Sequence, residues 1–283
     1  MSALTDQIFL LAQRLLPKRL LTEAIGRLAA REGGRLTHAA IRRFVARYRV
    51  DMGEAAYPDP TAYRTFNEFF TRALSDGARD FAEARWVCPV DGRVSECGPI
   101  EAGTIVQAKS HRYRCDALLG GDAELAAYFE GGAFATLYLS PRDYHRIHMP
   151  AAGRLLSMAH VPGSLYSVNP LTANNIPGLF ARNERVVCVF ESGDMRFAMV
   201  LVGATIVGSM ATVWHGVVNP PRPQGIRRWE YAEQQIDLEQ GAEMGRFLLG
   251  STVIVLTPQS ERPYWPHWTP GRSVRLGEAM SPR

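Results

Sequence analysis

Lysine is scarce in this chain. Of 32 basic side chains among 283 residues, only Lys18 and Lys109 are lysines, which leaves few ε-amines to hold a carbonyl cofactor. Cysteine is scarce as well. Cys88, Cys97, Cys115 and Cys188 form no CxxC pair, and none has a histidine at a zinc-finger interval, which excludes a structural zinc site. Four cysteines in so long a chain make no disulfide framework and read as reduced thiols in a cytosolic setting. Long apolar runs are missing too. A spanning helix needs roughly 20 predominantly apolar residues. The run Ile8-Phe9-Leu10-Leu11-Ala12 is interrupted by Gln13, Arg14, Lys18 and Arg19 and broken at Pro17. It has no basic segment before it and so does not read as a secretory signal. Internal repeats are absent. A hydrophobic fraction of 46% excludes a disordered chain, and 25 Gly with 18 Pro are too few for a low-complexity one.

What is present is unevenly distributed. The net charge is only +4. Residues 1–50, however, hold ten basic and three acidic side chains, or +7, and residues 51–283 hold 22 basic against 25 acidic, or −3. A basic patch on a nearly neutral body excludes a protein that wraps nucleic acid over its whole surface.

The two parts also differ in pattern. In residues 1–75, Ile8, Leu11 and Leu15, then Leu20, Leu21, Ile25 and Leu28, recur at helical spacing. Ile41, Phe44, Val45 and Tyr48 share a face opposite Arg42, Arg43, Arg47 and Arg49. Such helices suit an anionic membrane surface, where each basic residue contributes about 1 kcal/mol. They equally suit packing on a domain with a solvated face. Thr65-x-x-Glu68 is a capping box ahead of Phe69 and Phe70. From about residue 86, short β-branched runs recur at 93–96, 104–107, 134–139, 186–190, 197–202, 211–214 and 252–256. The stretch 199–213 reads as buried strands for the same reason. Residues 162–184 and 219–230 read as loops, the latter because of Pro220, Pro221 and Pro223. The expected fold is α+β: a helical basic region, 1–75, then a mostly antiparallel β-rich body, 76–283.

Three segments carry chemistry. Pro89-Val90-Asp91-Gly92-Arg93, taken alone, is a turn. The block from Ser140 to Pro150 holds His145 and His148. Three apart in an extended segment, they point to opposite faces, a poor arrangement for one metal ion but suited to two separate tasks. Gly250-Ser251 precedes a strand and lacks the G-x-S-x-G nucleophile elbow. Together, Asp, His and Ser are the parts of an activated nucleophile. A serine after an unhindered glycine can attack the carbonyl of its own preceding peptide. The resulting ester can then break by β-elimination.

With these segments in view, the sequence resembles the bacterial, membrane-associated phosphatidylserine decarboxylase proenzyme family. The resemblance covers roughly 65–257. It rests on Phe69-Phe70-Thr71-Arg72, Pro89-Val90-Asp91-Gly92, Gln107-Ala108-Lys109, the run from Leu139 to Pro150, His160-Val161-Pro162-Gly163, the run from Leu179 to Arg185, and Glu243-Met244-Gly245-Arg246-Phe247 leading to Leu249-Gly250-Ser251-Thr252. It implies self-cleavage between Gly250 and Ser251, giving a β chain, 1–250, and an α chain, 251–283, that stay together. Ser251 would become an amino-terminal pyruvoyl group, the cofactor, which forms a Schiff base with the substrate amine. Asp91 and His148 would complete the charge relay for cleavage, and His145 would act as proton donor in the decarboxylation. The implied reaction converts phosphatidylserine to phosphatidylethanolamine and CO₂ at the cytoplasmic side of the cell membrane, with no metal and no nucleic acid. The implied body is of barrel-sandwich type, and the implied assembly is a homodimer of processed protomers. Two other readings remain: a pyruvoyl-dependent decarboxylase of another amine, and a serine hydrolase using Ser251, His148 and Asp91 without cleavage.

Overall fold

The structure, a computed structural model, describes residues 3–108, 111–205, 209–220, 222–249, 252–261 and 268–280. Gly250, Ser251 and Lys109 lie outside the described residues.

Helices dominate residues 3–48, as the periodicity requires, and a short one closes the region at residue 70. Helices α1 (Ala3–Leu15), α2 (Lys18–Ala29) and α3 (Arg35–Tyr48) are followed by the short α4 (Phe66–Phe70). Pro17 separates α1 from α2, where its ring is tolerated just before a first turn. The capping box at Thr65 forms in full: its hydroxyl accepts from Glu68 N at 3.0 Å, and the Glu68 carboxylate reaches back to Thr65 N. That cap turns Phe69 and Phe70 inward, where they pack with Ile41, Ala29, Val50 and Tyr63. Leu249 belongs to the same cluster, so the helical region and the chain just before Gly250 share one apolar core.

The body is antiparallel and sandwich-like. Its large sheet runs in the order Arg227–Glu230, Gly153–Val161, Arg185–Ser192, Met195–Val202, Thr252–Thr257, Ala133–Tyr138, Gly92–Pro99, Ser273–Val274, with Asp237–Leu238 also pairing to Gly153–Val161. Among the described residues this sheet does not close into a barrel. A four-stranded sheet orders Gly216–Val217, Met210–Thr212, Glu243–Phe247 and Arg146–His148. Strand alternation assigns the two faces of the large sheet. Leu137, Val253 and Val255 face a core shared with Ile147, Met244 and Phe247 of the smaller sheet. Phe134, Ile254 and Leu256 face a second core with Ile105, Leu118 and Phe180.

One expectation needs correction. The proline-rich segment 219–230 is not all loop, because Arg227–Glu230 forms the edge strand against Ser157–His160. The prolines precede it, and an edge strand leaves half its backbone unpaired in any case. Residues 162–184 do form a connection, but it holds two short helices, Pro170–Asn175 and Leu179–Arg182.

Candidate active site

The Asp91 and histidine segments meet at the end of the large sheet where the strand Thr252–Thr257 begins. Arg93 is opposite Tyr138, and Tyr138 is opposite Thr252, so the strands that begin at Gly92 and Thr252 lie on either side of Ala133–Tyr138. Gly92 is required there: a Cβ would lie 2.4 Å from the Tyr138 carbonyl oxygen. The histidine block enters from the smaller sheet. His148 N donates to the Pro89 carbonyl at 2.9 Å, and Phe247 N donates to the His145 carbonyl at 3.1 Å. Glu243–Phe247 belongs to the smaller sheet, and Thr252–Thr257 to the larger one. Leu249, the last described residue before the Gly250-Ser251 pair, has φ 119°. This left-handed conformation is one that β-carbon-bearing residues rarely adopt, and it stores roughly 1–3 kcal/mol of strain.

The side chains are engaged as follows. His148 is partly buried. Its Nδ1–H donates to the Gly241 carbonyl at 2.8 Å, which fixes the tautomer, so Nε2 accepts from the Tyr144 hydroxyl at 3.1 Å. Burial lowers its pKa below the ordinary imidazole value. The Asp91 carboxylate is held by Arg79, whose Nε donates at 3.0 Å and whose Nη2 also binds it, and by Leu276 N at 2.9 Å. Asp91 and His148 are therefore neighbours through Pro89, with no hydrogen bond between their side chains among the described residues.

His145 is different. It is fully buried, and its Nδ1–H donates to the Asp143 carbonyl at 2.7 Å. Its Nε2 has no partner among the described residues. Its ring lies 4.1 Å from that of Phe70. Burial, with the nearby Arg72 cation, pushes its pKa down to about 3. It is thus a neutral imidazole with an open lone pair. Thr252 Oγ1, one residue beyond Ser251, is likewise buried without a partner.

Two cavities adjoin these residues. The larger, about 740 Å³ and mainly apolar, is walled by Phe70, Phe44, Ala29, Leu249 and Pro141, with the exposed Leu28 and Leu36 among its lining residues. The smaller, about 320 Å³, is polar and takes in Arg72, Arg79, Asp91, Arg142 and Tyr144. Two participants escaped the sequence reading. Tyr144 sat inside the histidine block but carried no spacing signal of its own. Arg79 had no signal at all, since its pairing with Asp91 arises only from the tertiary fold. Among the described residues there is no cluster of metal-ligating side chains and no helix long and apolar enough to cross a membrane.

Comparison with known proteins follows the same lines. A family model described as phosphatidylserine decarboxylase matches residues 66–281, and one described as PSD matches residues 8–49. The phosphatidylserine decarboxylase proenzyme of Acidovorax ebreus (strain TPSY) is 63% identical over 280 residues, covering 99% of both chains. That of Azoarcus sp. (strain BH72) is 63% identical over 277 residues, covering 98% of this chain and 96% of its own. That of Chromobacterium violaceum is 62% identical over 279 residues, covering 98% of this chain and 100% of its own.

Proposed function

The chain belongs to the phosphatidylserine decarboxylase family, and on that premise we propose how its own residues serve the reaction. The protein is an enzyme that decarboxylates phosphatidylserine to phosphatidylethanolamine. Our reading is that Ser251 attacks the Gly250 carbonyl, that His148 takes the hydroxyl proton, and that Asp91 supports the resulting positive charge. The strain at Leu249 favours this reading, because a distorted backbone beside the scissile peptide is partly relieved by cutting it. The fragments 1–250 and 251–283 remain joined in this account. Val253, Ile254, Val255 and Leu256 are fully buried between two neighbouring strands, each contributing roughly 1.5–3 kcal/mol.

The pyruvoyl group that this reading derives from Ser251 supplies an electron sink when CO₂ leaves. The surroundings fit such a group: His145 Nε2 and Thr252 Oγ1 are buried polar atoms without partners, a costly arrangement unless something there uses them. The single observation that carries the decarboxylation role of His145 is its buried Nε2, without a partner among the described residues, on a ring packed against Phe70, which lines the apolar cavity together with Leu249. His145 is placed in this account as the proton donor to the α-carbon once CO₂ has left, the reaction as a whole taking up one proton from solvent. The apolar cavity suits acyl chains, and the Asp143 carbonyl keeps the reactive nitrogen aimed. Residues 1–75 seat the enzyme on the cytoplasmic face of an anionic bilayer, and residues 76–283 carry the chemistry.

Intact-mass spectrometry with activity on phosphatidylserine vesicles tests this division. Ser251→Ala gives one uncut chain of 31.4 kDa without activity. His145→Ala gives two chains without turnover. Two chains from Ser251→Ala overturn the cleavage site, and an uncut His145→Ala overturns the separation of roles. Labelling of Ser251 by a fluorophosphonate supports the hydrolase reading instead.

A further inference from the structure

Arg72 is a buried cation that makes no salt bridge among the described residues, although Asp91, Asp143 and Glu54 lie near enough to attract it. The residue is 5% exposed. Its Nε has no partner among the described residues, and the side chain's one hydrogen bond there is long, 3.3 Å from Nη2 to the Arg142 carbonyl. Its guanidinium stacks over Phe69 at 5.6 Å. Every carboxylate near it is committed elsewhere. Asp91 is bound by Arg79 and Leu276 N, and Glu54 by Arg79 and Arg275. Asp143 accepts from Ser140 N and Oγ, each at 2.7 Å, and Asp51 from Gly53 N.

A structural arginine so deeply buried is normally paired, because an unpaired buried charge is among the costliest features a fold can hold. The guanidinium also lines the 320 Å³ polar cavity together with Arg142 and Tyr144. It lies close enough to His145 to oppose protonation of that ring. An open fork of N–H donors beside the reactive nitrogen matches a planar pair of anionic oxygens.

Resting on the decarboxylase reading, we propose that Arg72 is the specificity-determining residue that receives the phosphodiester of the substrate headgroup. The headgroup offers two anions, and the phosphodiester is the better match. A carboxylate destined to leave as neutral CO₂ loses its charge during the reaction, so a strong ion pair to it stabilises the ground state more than the transition state. The phosphodiester keeps its charge throughout, so an ion pair to it holds substrate and transition state alike. Arg72 therefore acts on KM more than on kcat. The same donors would accept inorganic phosphate, which the experiment separates from the lipid headgroup.

The test uses the processed full-length enzyme and its Arg72→Lys and Arg72→Met variants. Both variants are expected to self-cleave and to melt within a few degrees of the parent. Their KM for short-chain phosphatidylserine in detergent should rise at least tenfold in Arg72→Met and less in Arg72→Lys, with kcat changed less than about threefold. Glycerophosphoethanolamine should inhibit the parent competitively and the Met variant at least tenfold less. Inorganic phosphate, lacking the rest of the headgroup, should inhibit the parent more weakly. A variant that stays uncut, a loss confined to kcat, an unchanged KM, or inorganic phosphate inhibiting as strongly as glycerophosphoethanolamine overturns the assignment. If the parent itself fails to decarboxylate phosphatidylserine, the fault lies in the functional reading and not in Arg72.

Discussion

The Tyr144 hydroxyl donates to Nε2 of His148, the nitrogen whose lone pair the proposed self-cleavage would use. Gly241 holds the other ring nitrogen, so the imidazole is anchored at both ends while Asp91 is held by Arg79. On the proposed mechanism Tyr144 would compete with Ser251 for the base. Its own ionisation gives no escape, because burial pushes the phenol up to about 12.

Replacing Tyr144 by Phe removes that competitor. A donor on Nε2 stabilises the neutral ring, and losing about 1 kcal/mol of it raises the His148 pKa by roughly 0.7 unit. Tyr144→Phe is expected to process fully, faster than the parent above neutral pH. The acid limb of its rate profile should move up by about 0.5–1 unit. Quenched time courses of the uncut chain across pH measure this. A variant that remains uncut means that the hydroxyl carries the proton rather than blocking it.

His145 links the site to acid stability. Its pKa is about 3 in the fold against about 6.5 in an unfolded chain. Above 6.5 both states hold a neutral ring and His145 contributes no pH dependence. As pH falls from 6.5 toward 3, the unfolded chain binds a proton that the fold refuses, and stability drops by up to about 1.4 kcal/mol per pH unit. In the uncut Ser251→Ala background, where the protein is one chain, adding His145→Asn should remove this component. The double variant should then lose about 2–3 kcal/mol less than its parent between pH 6 and 4 in urea titrations. Equal losses would show that burial does not oppose charging at this residue.

Much of this architecture was legible in the residues. Continuous apolar runs such as 197–202 and 252–256 form central strands, because side chains buried on both faces suit the middle of a covered sheet. Arg227–Glu230 was hidden by the prolines before it. The site divided in the same way. Asp91, His145 and His148 stand in short motifs whose composition is unusual by itself. Arg79 does not, because one arginine among thirty says nothing until the fold shows what surrounds it, and Arg72, although it ends the segment Phe69-Phe70-Thr71-Arg72, reveals its burial only in the fold. The contrast is between chemistry written locally and chemistry made by tertiary neighbours: Arg79 gains its role only when Asp91 is brought beside it.

The membrane-seating role of the helices depends on apolar side chains that the fold leaves uncovered. Leu20, Leu28 and Leu36 are all exposed, and they lie among Lys18, Arg19, Arg27, Arg31 and Arg35. Leu28 and Leu36 also line the apolar cavity, so whatever covers them also covers the cavity that Phe70 and Leu249 line. Removing residues 1–35 outright is a blunt test, because Ala29 packs in the core that holds Leu249. Changing Leu20, Leu28 and Leu36 to Ser leaves that core intact. Each leucine lost from the interface is worth about 1 kcal/mol on partial insertion, so vesicle affinity should fall on the order of 100-fold. The residual binding should be abolished by high salt, because only the arginine attraction then remains and it is screened. Self-cleavage should be unaffected, and turnover of short-chain phosphatidylserine in detergent should persist. If the triple variant still pellets with anionic vesicles like the parent, these helices are a packing element and the basic patch has another purpose.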